Sequence, residues 1–189
     1  MKTAILLAVA YLAGSVNFSI LLFHGLDKND PRQRFSGNAG VTNVYRQAGW
    51  FCAAVVLILD LGRALLMAWL ALQIMETALV PWAGLALVIG NRFPCFHQFR
   101  GGKGVAGYLG FTILITPLAA ALSVLAWVAV YSIVRIPFIA SFFMIAVLAG
   151  GTIIAGGYHT VATSGAVATA LFIYYNHKQN IAALFRGKV

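Results

Sequence analysis

Apolar residues run along this chain in seven blocks, at about 3–23, 49–72, 79–91, 104–116, 118–134, 138–155 and 160–175, with short polar stretches between them. A helix crossing a bilayer needs about 20 predominantly apolar residues, so the pattern predicts an all-α, polytopic transmembrane bundle of seven spans. Blocks 79–91 and 104–116 are short for a full crossing and are expected to be tilted, kinked or extended into the interface. The first block starts like a signal peptide, with Lys2 before an apolar run at 4–10. It continues to about Phe23, however, and reads as an uncleaved first span whose second half is made polar by Ser15, Asn17 and Ser19. Pro117 separates the fourth and fifth blocks as a turn or a kink, which leaves a six-span count, with 104–134 fused, as the alternative.

Charge bears on that count. Seven spans put Lys28, Arg32, Arg34, Arg46, Arg92, Arg100, Lys103, Arg135, Lys178, Arg186 and Lys188 on one side, eleven of the thirteen basic residues. The other side receives Lys2 and Glu76, while Asp60 and Arg63 fall inside the second span. By the positive-inside rule the N-terminus is then outside and the C-terminus cytoplasmic. A six-span count would carry Arg135 and the C-terminal basic cluster across the membrane and spoil the asymmetry.

The composition agrees. Of the 189 residues 61% are hydrophobic and 9% charged, against about 25% charged in soluble domains. No shift of composition marks a second domain, so residues 1–189 are expected to form a single integral-membrane domain. The net charge of +9 sits in loops between apolar runs, as topology signals do, and no nucleic-acid partner is expected. Cys52 and Cys95 have no metal-ligand spacing and read as packing residues. His24 and His159 read as interfacial or packing histidines.

Three polar segments carry candidate chemistry. In the first, Ser36-Gly37-Asn38-Ala39-Gly40-Val41-Thr42-Asn43-Val44-Tyr45-Arg46, small residues allow tight turns that converge backbone N–H groups. Such a loop entering a helix near Gly49 makes an anion nest, and Arg46 can grip a phosphate bidentately. In the second, Arg100-Gly101-Gly102-Lys103-Gly104 precedes an apolar helix. Its chemistry is that of a phosphate-binding loop, without the spacing of the nucleotide-binding one. Lys103 is a mobile cation, whereas Arg92 and Arg100 also fit simple anchoring at the membrane surface. The third, His177-Lys178-Gln179-Asn180, puts His177 and Asn180 three apart on one helix face, though a polar cap on a membrane helix reads the same. Asp60 and Arg63, also three apart, are either a functional pair or a mutually neutralising structural one. Ser141 is an undistinguished hydroxyl on these grounds alone.

Taken in order, these segments resemble the bacterial acyl-phosphate:glycerol-3-phosphate acyltransferases of the PlsY type. That family's Gly-Ser-Gly-Asn-x-Gly-Ala-Thr-Asn-x-x-Arg is matched by 35–46. Its Gly-His-x-Phe-Pro-x-Phe-x-x-Phe-Lys-Gly-Gly-Lys-Gly-Val-Ala is matched from Gly90 to Ala106, and its His-Arg-Glu-Asn-Ile by 177–181. The departures are Phe35 for Gly, Val41 for Ala, Asn91 for His, Arg100 for Lys, Gln179 for Glu, and Asp60-Leu61-Gly62-Arg63-Ala64 for Asp-x-x-Lys-Gly.

The resemblance implies a bacterial plasma-membrane enzyme of phospholipid synthesis, with its site on the cytoplasmic side and no cofactor or metal. It would move an acyl group from acyl phosphate to the 1-hydroxyl of glycerol 3-phosphate, giving lysophosphatidic acid and phosphate. Ser36, Gly37, Asn38, Gly40, Thr42 and Asn43 would hold the donor headgroup, and Gly101 and Gly102 would also bind substrate. Arg46, Lys103, Ser141, His177 and Asn180 would hold the acceptor, with Lys103, His177 and Asn180 closest to the chemistry. An activated acyl phosphate needs alignment more than a covalent nucleophile. His177, beside Lys103 and Arg46, is expected to lose proton affinity and to donate to phosphate, leaving a substrate phosphate oxygen to take the hydroxyl proton. The readings set against this are a transporter or binding protein for a small phosphorylated metabolite, favoured by broken helices at the midplane, and a divergent paralogue with another acceptor.

Overall fold

The computed structural model describes residues 1–187 and contains helices and no strand among them. Lys188, counted above with the basic C-terminal end, lies outside the described residues. An all-helical answer follows from the apolar blocks, because in lipid only a helix satisfies every backbone N–H and C=O within its own segment. The helices are α1 (Lys2–Ser15), α2 (Phe18–Gly25), α3 (Val41–Ile74), α4 (Val80–Arg92), α5 (Val105–Ile115), α6 (Pro117–Val134), α7 (Pro137–Ala155), α8 (Thr160–Asn176) and α9 (Lys178–Phe185). Pro117 and Pro137 each stand at the first position of their helix, where a missing N–H costs no ladder bond. Pro117 is thus a true boundary, and α5 and α6 are separate helices.

Among the described residues five segments are long and apolar enough to cross a membrane: Lys2–Gly25, Val41–Ile74, Thr77–His97, Pro117–Val134 and Pro137–Ala155. The third reaches that length only with the single turns that flank α4. Helix α5, with 11 residues, rises only about 16 Å, and α8 has 17 residues.

The first span is not continuous. It breaks at Val16–Asn17, where Val16 is extended, and Asn17 caps α2 by accepting from Ile20 N at 3.1 Å. Ser15, Asn17 and Ser19 are all buried there. The carbonyls freed by the break are taken by Arg63 of α3, whose Nη1 reaches Ala13 O at 3.2 Å, Gly14 O at 3.3 Å and also Val16 O. Its Nη2 pairs with Asp60 at 2.8 Å. The Asp60–Arg63 pair is therefore the plug of a helix break.

Packing is pairwise, α1 on α4, α3 on α5 and α6 on α7, with α8 against both α4 and α7. Helices α1 and α4 cross at Gly14 and Gly90. A Cβ on Gly14 would overlap the Leu87 carbonyl, and one on Gly90 the Tyr11 carbonyl, so only glycine allows backbones this close. One buried cluster joins α1, α3 and α4 through Ala10, Ala64, Met67 and Leu87. A second joins α5, α7 and α8 through Tyr108, Ile145, Leu148 and Ile173. Large apolar side chains such as Leu118, Leu125, Ile133, Ile154 and Leu171 point outward, as a surface solvated by lipid tails requires.

Candidate active site

The first motif is built differently from the expected loop. Its helix begins at Val41, with Gly40 as N-cap, and kinks at Gly49, where φ is 80°. The sequence boundary at Gly49 is this kink. Thr42, Asn43 and Arg46 consequently stand on the first helical turns, where the N–H groups of Val41 and Thr42 have no ladder partner and Asn43 N turns back to Gly40 O at 2.9 Å, and 36–40 form the turn before them. Asn43 is buried, and its Nδ2 donates to Pro31 O at 2.8 Å, Asn38 O at 2.8 Å and Arg34 O at 3.3 Å. Its amide donors are spent on folding the turn back over the helix. Ser36, Asn38 and Gly40 are half-buried, while Gly37, Thr42 and Arg46 are exposed.

The glycine loop of the second motif closes over the end of α4. Gly102 N donates to Asn91 O at 2.9 Å and Gly101 N to Arg92 O at 3.1 Å. A Cβ on Gly101 would overlap Asn91 O, and one on Gly102 would press on the Asn91 side chain and Ala39 O, so larger residues would push this loop off. The same loop meets the first motif, since Ala39 N donates to Gly101 O at 3.4 Å. Asn17, at the break in the first span, reaches the far side of that turn, donating to Ala39 O at 3.3 Å. The helix break thus supplies a support for the first motif.

The third motif arrives from the other end of the chain. His177 lies between α8 and α9, and its carbonyl accepts from Asn180 N at 2.8 Å. Lys103 Nζ donates to Asn180 Oδ1, and Asn176 Nδ2 donates to Lys103 O at 3.2 Å. Helix α7 adds Phe138 and Phe142, whose rings lie 6.4 and 5.3 Å from the His177 imidazole. Ser141 is on the same helix, buried, with its hydroxyl donating to Pro137 O at 3.0 Å and accepting from Trp127 Nε1 at 3.3 Å.

Positive charges crowd one another where the three motifs meet. Lys103 is pushed down to about 8, first by burial and then by the positive charges of Arg92 and Arg46. His177 is pushed down to about 4 by burial and by Lys103, so it is neutral at pH 7. Its Nδ1 lies 2.9 Å from the Ile173 carbonyl. A carbonyl only accepts, so Nδ1 carries the proton and Nε2 is left as an acceptor. In this tautomer its one N–H is spent on the backbone, which stands against the expectation that His177 donates to phosphate.

The other candidate residues take their places around this site. Arg92, given above as a surface anchor, is close enough to act on Lys103 more strongly than Arg46 does. Only the spacing from Gly90 to Lys103 hinted at this, because the loop folds back on the helix end. Asn91 is a buried packing piece beneath the glycine loop, whereas Gln179 is exposed on a cleft wall. His24 and His159 are both exposed. The broken first span is the feature that a transporter reading would want, yet Arg63 has already taken the carbonyls that an ion would need.

Fold and site define a polytopic integral membrane protein that gathers cations and polar loops at one end of its bundle. The family profile described as glycerol-3-phosphate acyltransferase matches residues 4–187. A glycerol-3-phosphate acyltransferase of Pseudomonas paraeruginosa is 36% identical over 97% of this chain and 96% of its own. One of Halorhodospira halophila is 34% identical over 100% and 95%. Among solved structures, PlsY, an integral membrane glycerol 3-phosphate acyltransferase, superposes in its glycerol 3-phosphate form with a TM-score of 0.91. That match has 30% identity and covers 100% of this chain and 94% of PlsY. Its lysophosphatidic acid form gives 0.88. The chain belongs to the glycerol-3-phosphate acyltransferase family.

Proposed function

We infer that this protein transfers an acyl group from acyl phosphate to the 1-hydroxyl of glycerol 3-phosphate. The carbonyl carbon gains a bond to the hydroxyl oxygen and loses its bond to the phosphate oxygen. The products are lysophosphatidic acid and inorganic phosphate, which leaves with the hydroxyl proton. The observation that carries this reading is the contact of Lys103 with Asn180 beside neutral His177. It joins motifs far apart in sequence where Arg46 and Arg92 add positive charge.

In this reading the turn at 36–40, the leading N–H groups of α3 and Thr42 take the donor phosphate, with Asn43 shaping the turn, while Gly101 and Gly102, whose N–H groups are spent on the end of α4, let the loop pack close beside it. Arg46, Lys103 and Asn180 hold the acceptor phosphate, and Ser141 supports the wall next to His177. Nε2 of His177 accepts a hydrogen bond from the 1-hydroxyl and so aims its oxygen at the carbonyl. An imidazole held near 4 is a weaker base than a phosphate dianion, so the proton ends on the leaving phosphate and catalysis is substrate-assisted. Held in line, donor and acceptor gain most of their acceleration from alignment.

The same reading makes residues 1–189 one catalytic domain of a bacterial plasma membrane with seven spans, α1 and α2 together forming the first. The site and C-terminus face the cytoplasm, as the clustering of basic residues at the motif end supports. A C-terminal reporter active only outside the cytoplasm would defeat this topology. The activity is tested with purified protein, acyl phosphate and glycerol 3-phosphate. Phosphate release with a stoichiometric lysolipid product is expected, and phosphate release without lysolipid would sink the reading.

A further inference from the structure

Beside the acceptor site lies a cleft of about 470 Å³ whose wall includes Arg32, Gly37, Arg92, Arg100, Gly101 and Gln179. Of its arginines, Arg32 is fully committed. It pairs with Asp30 at 2.5 Å and donates through Nη1 to His97 O and Arg100 O, each at 2.8 Å. Arg92 is not committed. Its Nε is buried with no hydrogen-bond partner, and its guanidinium leans on the Phe93 ring at 5.2 Å. The ion pairs among the described residues are Asp30–Arg32 and Asp60–Arg63, so no carboxylate neutralises Arg92. The position that could have done so, 179 on the wall of the same cleft, holds a neutral glutamine. A buried guanidinium donor without a partner costs free energy until an acceptor arrives, and a planar fork suits a phosphate best.

We propose that Arg92 and Gln179 form an anion subsite for a phosphoryl group, next to the one at Lys103 and Asn180. The ligand class rests on the acyltransferase reading, and three species share the chemistry: the donor phosphate, the acceptor phosphate and released inorganic phosphate. Arg92 supplies the charge-assisted donors and Gln179 a neutral wall, so the subsite keeps its positive potential.

The test is steady-state kinetics in lipid nanodiscs for Arg92→Leu, Arg92→Lys and Gln179→Glu. Both substrates are varied, and inhibition by inorganic phosphate is measured alongside. Arg92→Leu should raise one of the three constants about tenfold or more, the range of one charge-assisted contact, with kcat nearly kept. Gln179→Glu should raise the same constant by neutralising Arg92, and Arg92→Lys should fall between. A rise confined to the acyl phosphate KM identifies the donor, one confined to the glycerol 3-phosphate KM the acceptor, and one confined to the phosphate inhibition constant the product. If Arg92→Leu does not fold, Gln179→Glu on the exposed wall decides alone. All three constants within about twofold of wild type in the folded variants would overturn the subsite. Should wild type show no transfer, the acyltransferase reading fails separately. Calorimetric titration of wild type and Gln179→Glu with inorganic phosphate then still judges the subsite, and equal affinities overturn it.

Discussion

Replacing Arg63 by leucine should unlock the first span. The guanidinium side chain and its carboxylate partner are 7% and 10% exposed. The substitution strands the Asp60 carboxylate and leaves the carbonyls of Gly14 and Val16 without a donor, while Ala13 O keeps Val16 N. Losing one partner of a buried pair costs about 3–5 kcal/mol. At roughly 2–4 °C per kcal/mol for a chain of this length, that is about 6–20 °C in apparent Tm. The assay is thermal denaturation of purified protein in lipid nanodiscs. Arg63→Lys should lose less, because an ammonium keeps the charge and three donors but not the fork. The double variant Asp60→Asn with Arg63→Leu should recover part of the loss, because the unpaired charge is gone while the carbonyls stay orphaned. An Arg63→Leu protein melting within about 2 °C of wild type would refute the account. A double variant less stable than the single one would show that the stranded carboxylate is not the dominant cost.

Lys103→Ala and Arg46→Ala should each weaken glycerol 3-phosphate binding by about 1.5–3 kcal/mol, read as a rise in its KM; unchanged kinetics would remove them from the site. Below pH about 8 Lys103 is an ammonium, and above it the free enzyme loses that charge. Because bound phosphate favours the charged form, kcat/KM should fall above about pH 8 while kcat persists to higher pH, and Lys103→Arg should abolish that limb. His177 stays neutral above about pH 4, so it should contribute no limb between 5 and 7. His177→Asn should raise the glycerol 3-phosphate KM with kcat largely kept, and a loss of kcat by about 10²–10⁴ with binding intact would make His177 the base. Gly101→Ala should reduce activity by displacing the loop from Asn91 and Ala39, visible as a rise in KM for both substrates.

Hydrophobic length and motif order were sufficient to read the helical class, the family and most helix limits, because backbone facing lipid must satisfy its own hydrogen bonds in apolar helices and each motif is contiguous. Blocks 118–134, 138–155 and 160–175 fall almost residue for residue on α6, α7 and α8. Tertiary structure alone decided where the chain departs from local preference. Ser15, Asn17 and Ser19 look polar in any reading, but the break they allow is held by Arg63, many residues further on in another helix. Gly49 reads as a helix start by itself, yet helix 41–48 forms before it because Asn43 ties the preceding turn down. The tautomer of His177 was set by a carbonyl one turn back, and the role of Arg92 by a glycine loop folding onto the end of α4. Each of these depends on which donor meets which acceptor across the bundle, a matching of distant groups that no local pattern encodes.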